Sequence, residues 1–524
     1  MKMRTRVPHR EGAALVPQSL RKHLVAWFAA RFCSSARIED SERDTDSTTR
    51  PVEEDLDETA YRREVEAMPE QLRLAIFLFI HKHIRRSDGR LNEQVFGRRL
   101  LGDRVWPLIE DLPLTSVNLA VMDQLFGSLE APTRSDMTGR LLEGLLEWGP
   151  ADSITHLDVL TSAPDDLDCT NATFGCLNCH NFPSVTSLNL SGRLSEAEEV
   201  FTETVMETLV EWEGLQSLTL RDCTFPESAA PLISQLTSLQ KLALGSDEQS
   251  AGYPTTYRVY KSILESVAGL TQLEELRLCN CDELTRDTLA RILQFENLTK
   301  LDLSLSPLWS PGSIEKPNTS LTWLKITPSA TEVGTAINDI ARLFPSLFTL
   351  GISVDCLPDD FASLGAELPS VRTLAVTTAK EDTVTRLLSI MPNVEQVTLK
   401  RLPLEEGQEC SVEFVPGDLA QQITSLQLSA GSRGTRWLPV TAGPSFLSQF
   451  VSLRTLRIEK EFGVSDVASL AGCFPLLEEL TLAAGVQPDP AYAQATKAAF
   501  PRLRKCTVLC TRDTQGAESY KAVW

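Results

Sequence analysis

The sequence has little positive charge, few aromatic residues and no long apolar run. The chain has 524 residues and a formal net charge of −21. Proteins that bind phosphates need a basic surface, so this charge disfavours nucleic acid or an anionic membrane surface as the main partner. No apolar run approaches the ~18 residues of a membrane-spanning helix. We therefore expect no nucleic-acid binding and no membrane insertion.

Residues that commonly carry out chemistry are also scarce. The chain has six histidines, and no Ser/His/Asp, Cys/His or paired-carboxylate group can be proposed with a geometric reason. A glycine-rich phosphate loop is missing, because the isolated Gly431-Ser-Arg-Gly434 lacks the lysine of a P-loop. We therefore expect that the protein is not an enzyme and that it has no cofactor.

The sequence does contain a repeated apolar pattern, best seen in residues 273–303. Leu273, Leu276 and Leu278 have the spacing L-x-x-L-x-L, which places the apolar side chains of a short strand on one side. Leu289 and Ile292 then follow at helical spacing and can cover the opposite wall of the same core. One such unit cannot bury its apolar face alone, so the pattern implies a stack of similar units.

The same strand pattern occurs fifteen times in one register. The predicted strands begin with Leu114, Ile154, Val185, Leu215, Leu239, Leu273, Leu298, Leu321, Leu347, Val371, Val394, Ile423, Leu453, Leu477 and Leu503. By this pattern the chain is identified as a member of the leucine-rich-repeat family. Helical spacing between the strands predicts helices at 203–210, 257–267, 336–343, 382–391 and 464–474.

The resemblance implies an α/β solenoid. In this fold a curved horseshoe carries parallel strands on its concave face and helices on its convex face. We assign about 15 repeats to residues 111–524. Residues 61–110 are helical in pattern and form either an N-terminal cap or a separate helical module.

The N-terminal region changes the sign of its charge. Residues 1–37 are basic with a single acid, Glu11, and an amphipathic helix is possible at 19–32, which is typical of a mitochondrial transit peptide. The alternative is a disordered basic tail. Residues 38–60 are acidic with little to bury, which is typical of a disordered linker. Residues 1–60 are therefore predicted to be a disordered leader.

The segment Met68-Pro69-Glu70-Gln71-Leu72 and its continuation to Ile80 resembles the first helix of an F-box. Arg73 departs from the family pattern, where an apolar residue is usual, and no Trp stands at the expected place. The Cys279/Cys281 repeat resembles cysteine-containing repeats that accompany F-boxes. The resemblance implies a Skp1-like adaptor bound through Pro69, Leu72, Ile76, Phe77 and Ile80. The alternative is a helical cap that shields the first repeat.

The concave face is the candidate binding surface, because side chains between the apolar positions point away from the core. Exposed aromatic residues beside basic ones are typical of interface anchors. The candidate partner-binding residues are Glu275, Arg277, Lys300, Asp302, Trp323, Lys325, Phe348, Lys400 and Arg457. The alternative for the two aromatic residues is that they pack on each other or under the loop 305–319.

The segment Cys176-Leu-Asn-Cys179-His180 matches the C-x-x-C-H pattern of haem attachment. A zinc site formed by Cys169, Cys176, Cys179 and His180 has better ligand chemistry than haem attachment. Short motifs of this kind often occur by coincidence, so we assign no metal ligands. The scattered cysteines indicate reduced thiols in an intracellular protein.

The sequence thus predicts a protein-interaction scaffold that binds a protein partner on its concave face. The F-box resemblance suggests the substrate receptor of an SCF-type ubiquitin ligase, in the cytoplasm or nucleus. A mitochondrial interaction or assembly protein is the alternative, and a metal-binding protein is a remote one.

Overall fold

The structure is a computed structural model of the chain. It describes residues 115–118, 142, 145–146, 150–159, 177–191, 199–221, 223, 227–246, 259–306, 314, 316–329, 331–354, 366–378, 382–401, 417–429, 449–461, 473–484, 490–510 and 521–523. The predicted leader (1–60) and helical module (61–110) lie outside these residues, and their boundaries remain predictions.

The chain divides into two compact units. One comprises Met1–Leu114 and Val121–Ser153; in its described part Leu142 and Leu145 are buried and a 3-10 turn spans Pro150–Ser153. The other comprises Thr115–Ala120 and Ile154–Trp524, and it contains every strand described below.

A single sheet of 16 strands runs through the second unit, with the strands in sequence order. They are β1 (Ser116–Asn118), β2 (His156–Asp158), β3 (Ser187–Asn189), β4 (Ser217–Arg221), β5 (Lys241–Gly245), β6 (Glu275–Cys279), β7 (Lys300–Leu303), β8 (Trp323–Ile326), β9 (Thr349–Val354), β10 (Thr373–Thr378), β11 (Gln396–Arg401), β12 (Ser425–Ser429), β13 (Thr455–Glu461), β14 (Glu479–Ala484), β15 (Lys505–Cys510) and β16 (Lys521–Val523).

The first fifteen strands are parallel and lie at the fifteen predicted positions, so that prediction is confirmed. The last strand was not predicted. β16 pairs with β15 in antiparallel orientation, and Val508 lies opposite Ala522.

The apolar positions of the repeat stack into continuous buried columns. Leu276 pairs with Leu301, which pairs with Leu324, which pairs with Leu350, and all four are fully buried. In β15 a cysteine takes the place of the leucine: Cys506 pairs with Leu480 and is also buried. Burial raises the pKa of the Cys506 thiol to about 11, so this side chain acts as a small neutral hydrophobe.

The described helices are α1 (Glu199–Val210), α2 (Ala230–Ile233), α3 (Lys261–Val267), α4 (Arg286–Ile292), α5 (Val333–Leu343), α6 (Asp382–Ser389), α7 (Gly417–Gln422) and α8 (Pro490–Ala499). The helices predicted at 203–210, 257–267, 336–343 and 382–391 are confirmed, with shifted ends. Most of the helix predicted at 464–474 lies outside the described residues. No helix in the described part of the chain is long and apolar enough to cross a membrane.

The start of α4, the helix that follows β6, is explained by the residue that precedes it. Thr285 precedes α4, and its side chain accepts a hydrogen bond from the backbone N–H of Thr288. Such a cap satisfies one of the helix donors that would otherwise have no partner. Leu289 and Ile292 are fully buried and supply the second wall of the core.

Before most of the described strands a turn completes the repeat. A bulky side chain lies three residues ahead of the first apolar strand position, and its carbonyl accepts a backbone hydrogen bond from that position, as in Phe344 with Leu347 and Phe474 with Leu477. Phe182, Phe344, Phe450, Phe474 and Phe500 are the largest fully buried side chains of the described chain. Two of them, Phe474 and Phe500, belong to successive repeats, and their ring centroids lie 6.4 Å apart.

Candidate interaction surface

The outward side chains of β5–β9 form two rows across the sheet. The surface opposite the buried columns is called the strand face here. Lys241, Glu275, Lys300 and Trp323 are neighbours in the first row. The second row contains Arg277, Asp302, Lys325 and Gly351, which are also in register.

Glu275 forms an ion pair with each of its two lysine neighbours in the first row. One of its carboxylate oxygens accepts from Lys241 Nζ and from Lys300 Nζ, each at 2.9 Å. Burial by itself raises the pKa of this carboxyl, but the two lysines outweigh burial and lower its pKa below the usual value. The carboxylate therefore stays charged, and two cations share one anion.

Asp302 is nearly buried, with 8% of its surface exposed. Its carboxylate accepts hydrogen bonds from the backbone N–H of Ser304, at 3.0 Å, and from the hydroxyl of the same residue. The side chain thus holds the turn after β7 and offers a partner little surface. Arg277, the neighbour of Asp302 on β6, is exposed.

The aromatic residues lie beside these charges. Phe348 directly precedes β9 and is 52% exposed, whereas Trp323 on β8 is half-buried. Within the described residues the two rings make no ring contact with each other. Most of the loop 305–319 lies outside the described residues, so packing under this loop stays an open alternative.

Lys325 lies over a glycine. A Cβ atom on Gly351 would stand 2.8 Å from Lys325 Cγ, a distance that real Cβ atoms do not adopt. Because Gly351 has no side chain, the aliphatic part of Lys325 can pack over it on the sheet. The aliphatic part of the lysine is therefore half-buried, and lysines packed in this way commonly keep the charged amine in water.

The structure separates two predicted residues from the rest. Lys400 lies in β11, two strands beyond β9, and Arg457 lies in β13, four strands beyond β9. The other seven predicted residues of the concave face lie on or directly before β6–β9. The five predicted adaptor-binding residues, Pro69, Leu72, Ile76, Phe77 and Ile80, lie outside the described residues.

Two features of the strand face were missed. Lys241 was not predicted, although it occupies the same repeat position as Lys300. Near the C-terminus Glu478 bridges Arg454 at 3.2 Å and Arg504 at 3.4 Å. In both cases charges of opposite sign stand at one repeat position in successive strands, which is the signal that could have found them.

Comparison with known proteins yields similar structures only. The sequence matches no protein-family model, and no curated protein matches it. An internalin from Listeria monocytogenes is 15% identical, with 64% of this chain and 85% of that chain covered and a TM-score of 0.32. A leucine-rich-repeat protein from Leptospira interrogans is 16% identical, with 71% and 98% covered and a TM-score of 0.27. Rad7 in the yeast Rad7–Elc1 complex is similar as well, at 14% identity, 70% and 86% coverage and a TM-score of 0.33.

The decisive observation is the register of the chain's own repeats. Fifteen L-x-x-L-x-L segments pair in parallel and in sequence order. The fold is a leucine-rich-repeat solenoid. Its core positions are nearly uniform, so any functional specificity of the solenoid must come from the side chains that point outward.

One group of the solenoid could hold a metal ion. A ligand atom of each of Cys179, His180 and Glu211 lies within 4.8 Å of the other two. The structure thus brings two of the four residues of the zinc alternative together with a glutamate that the sequence did not indicate. Cys169 and Cys176 lie outside the described residues.

Proposed function

We propose that this solenoid is a protein-interaction scaffold that binds a protein partner on its strand face. The observation that carries the proposal is Phe348, a large apolar side chain that is 52% exposed beside Trp323 and the lysines of the two rows. Aromatic residues that a partner can desolvate supply much of the binding energy of protein interfaces. Charged residues around such an anchor steer and orient the partner.

The charge of the two rows indicates the chemistry of the partner. Lys241, Lys300, Lys325 and Arg277 outnumber Glu275 and Asp302, although the whole chain is acidic. A basic and aromatic strip in an acidic protein selects an acidic or apolar segment of another protein. Glu275 contributes by keeping its two lysines extended along the strip.

A comparative capture experiment tests the proposal. We expect proteins captured from cells by the wild-type chain to be lost with a Trp323→Ala/Phe348→Ala double variant and with Lys325→Glu. Arg504→Ala, at the C-terminal end of the strand face, should capture the same proteins as the wild type. Capture that is equal for all four chains would rule out the strand face of β6–β9 as the binding surface.

A finer proposal is that the chain acts as the substrate receptor of an SCF-type ubiquitin ligase. Its support is the resemblance of residues 68–80 to an F-box helix. A Skp1-like adaptor should co-purify with the full chain, and substitution of Pro69 and Ile76 should abolish this. The same variant should still capture the strand-face partner. A full chain that fails to bind any adaptor defeats this finer role without affecting the scaffold proposal.

The basic leader supports a second candidate, a mitochondrial interaction or assembly protein. Residues 1–40 fused to a fluorescent protein should then direct it to mitochondria. A diffuse cytosolic signal would contradict this candidate and favour the cytoplasm or nucleus.

A further inference from the structure

Cys179, His180 and Glu211 belong to equivalent turns of two successive repeats. Cys179 and His180 lie in the turn that leads to β3, and Glu211 directly follows α1 in the turn that leads to β4. One ligand atom from each residue lies within 4.8 Å of the others. Within the described residues no hydrogen bond or ion pair occupies these three side chains, so their donor atoms are available to a ligand.

The first turn is held in place by its own residues. Asn178 Oδ1 accepts from the backbone N–H of His180 at 3.0 Å and of Asn181 at 2.9 Å. The backbone carbonyl of Asn178 accepts from the N–H of Phe182 at 3.0 Å. Leu177 and Phe182, which flank the turn, are almost completely buried. The backbone that carries the thiol and the imidazole is therefore fixed at both ends.

The second turn is fastened to the first by Trp212. Its indole Nε1–H donates to the carbonyl of Phe182 at 3.1 Å, and the side chain is 3% exposed. Glu211 directly precedes this tryptophan, and its own N–H bonds back to Glu207. Glu211 is therefore next to the residue whose hydrogen bond joins the two turns. The backbone, and not side-chain flexibility alone, brings the three donors close together.

We propose that Cys179, His180 and Glu211 form a zinc site. A thiolate, an imidazole and a carboxylate are all ligands of zinc, and a thiolate disfavours Mg²⁺ and Ca²⁺. Three protein donors leave the fourth tetrahedral position to water. Donor atoms around a tetrahedral zinc stand about 3.5 Å apart, so the side chains need to close by roughly 1 Å. Cys179 is half-buried and the other two are exposed, which leaves room for that movement.

Zinc at this position joins the turn before β3 to the end of α1. A ligand that binds only the folded state stabilises that state, so zinc raises the thermal midpoint of the solenoid. This effect belongs to the three donors and does not require the strand face to bind a partner.

The test uses the full chain under reducing conditions, with Zn²⁺ titrated against a chromophoric chelator and Co²⁺ as the spectroscopic probe. Cys179→Ser, His180→Ala and Glu211→Gln each remove one donor. Matched controls are Glu213→Gln, an exposed glutamate two residues from Glu211, and Cys473→Ser, a half-buried cysteine of another repeat. Equal thermal midpoints without metal show that all variants are folded.

We expect one high-affinity zinc per chain, and a loss of more than roughly tenfold in affinity for each donor variant, since even second-shell changes cost that much. Cobalt should give a thiolate charge-transfer band that Cys179→Ser abolishes. The two controls should bind zinc as the wild type does. The proposal is overturned if the wild type binds no zinc. It is also overturned if the cobalt band survives in Cys179→Ser, or if Glu211→Gln binds zinc as tightly as Glu213→Gln.

Discussion

The middle and the C-terminal end of the strand face use the same backbone differently. In the middle, Glu275 accepts from two lysines at 2.9 Å, Trp323 follows Lys300 in the same row, and Phe348 directly precedes β9. At the C-terminal end, Glu478 lies between Arg454 and Arg504 at 3.2 and 3.4 Å. No aromatic residue occurs in β13–β15, the strands of that end. Both segments therefore have a three-charge cluster, but only the middle one also has outward aromatic residues, Trp323 and Phe348.

The contrast shows which positions of the repeat are free to serve function. The buried columns are alike in both segments: Leu276 and Leu480 occupy equivalent positions, and both are almost completely buried. Exposed ion pairs contribute about 0–1 kcal/mol each to stability, so neither cluster is needed to hold the sheet together. The outward residues can therefore change without unfolding the solenoid, and under the proposed function their difference sets which segment contacts the partner.

The largest effect is expected where the backbone of the middle segment is most constrained. Gly245 ends β5 with φ of +88°, and a Cβ atom there would stand 1.7 Å from the carbonyl oxygen of Cys279. Gly245→Ala should therefore lower the free energy of unfolding by at least about 2 kcal/mol, from backbone strain and overpacking. Chemical denaturation measures this loss.

Hydrogen exchange shows whether that loss stays in one segment. Each repeat of a solenoid contacts mainly its neighbours, so exchange in Gly245→Ala should rise in β5 and β6 and stay unchanged in β13–β15. Gly214→Ala is the control, because a Cβ there meets no atom within 4 Å; it should change stability by less than about 0.5 kcal/mol. Equal losses in the two variants would show that the contact with Cys279 does not constrain the turn.

The sequence predicted the strands well because burial imposes a strict spacing on them. All fifteen parallel strands fall where L-x-x-L-x-L occurs, including β15, where Cys506 replaces a leucine. β16 was missed, since three residues that pair at the sheet edge need no such spacing. The four predicted helices that fall in the described residues begin within four residues of their predicted starts, because only their buried faces are periodic.

The candidate sites were harder to predict, because they depend on which residues of different repeats become neighbours. The pair Lys241–Glu275 was missed although both residues stand at outward positions. Asp302 was predicted as a contact residue, but its bond to Ser304 becomes visible only with the turn. Glu211 meets Cys179 and His180 because equivalent turns of two successive repeats lie close together, and the spacing of the apolar positions does not show this proximity. The adaptor-binding role of Pro69 and its neighbours stays a prediction.

The second effect is expected on binding and not on stability. If Phe348 is an interface anchor, Phe348→Ala should weaken the binding of the captured partner by about 2 kcal/mol, which is a roughly 30-fold loss of affinity. Phe348 is 52% exposed, so the free energy of unfolding should change by less than about 0.5 kcal/mol. Titration calorimetry with the purified partner measures the first quantity, and chemical denaturation measures the second.

The matched control for this prediction lies before β13. Val451 is 43% exposed, which makes Val451→Ala a truncation of similar exposure in the C-terminal segment. It should leave the affinity for the partner unchanged. A loss equal to that of Phe348→Ala would mean that the partner also contacts the turn before β13 and that binding is not confined to the middle segment.

The smallest effect concerns the two charge clusters. Glu275→Gln removes ion pairs that are shorter and more shielded than those of Glu478: the side chains of Lys241 and Lys300 are 50% and 51% exposed, against 61% and 78% for Arg454 and Arg504. At neutral pH we expect Glu275→Gln to cost up to about 1 kcal/mol and Glu478→Gln a few tenths. Both losses should shrink at high salt.

The pH dependence separates the charge of Glu275 from its packing. The pKa of this carboxyl is lowered in the folded protein from its ordinary value of 4.5, so the unfolded chain takes up the proton first as the pH falls. The ion pairs therefore stabilise the fold fully above pH 4.5, and this contribution is lost as the pH falls through the lower folded pKa. The difference in stability between wild type and Glu275→Gln should accordingly be constant at neutral pH and vanish in acid. A difference that persists below the folded pKa would come from packing of the side chain, and the lysines of the middle segment would then be held by something other than Glu275.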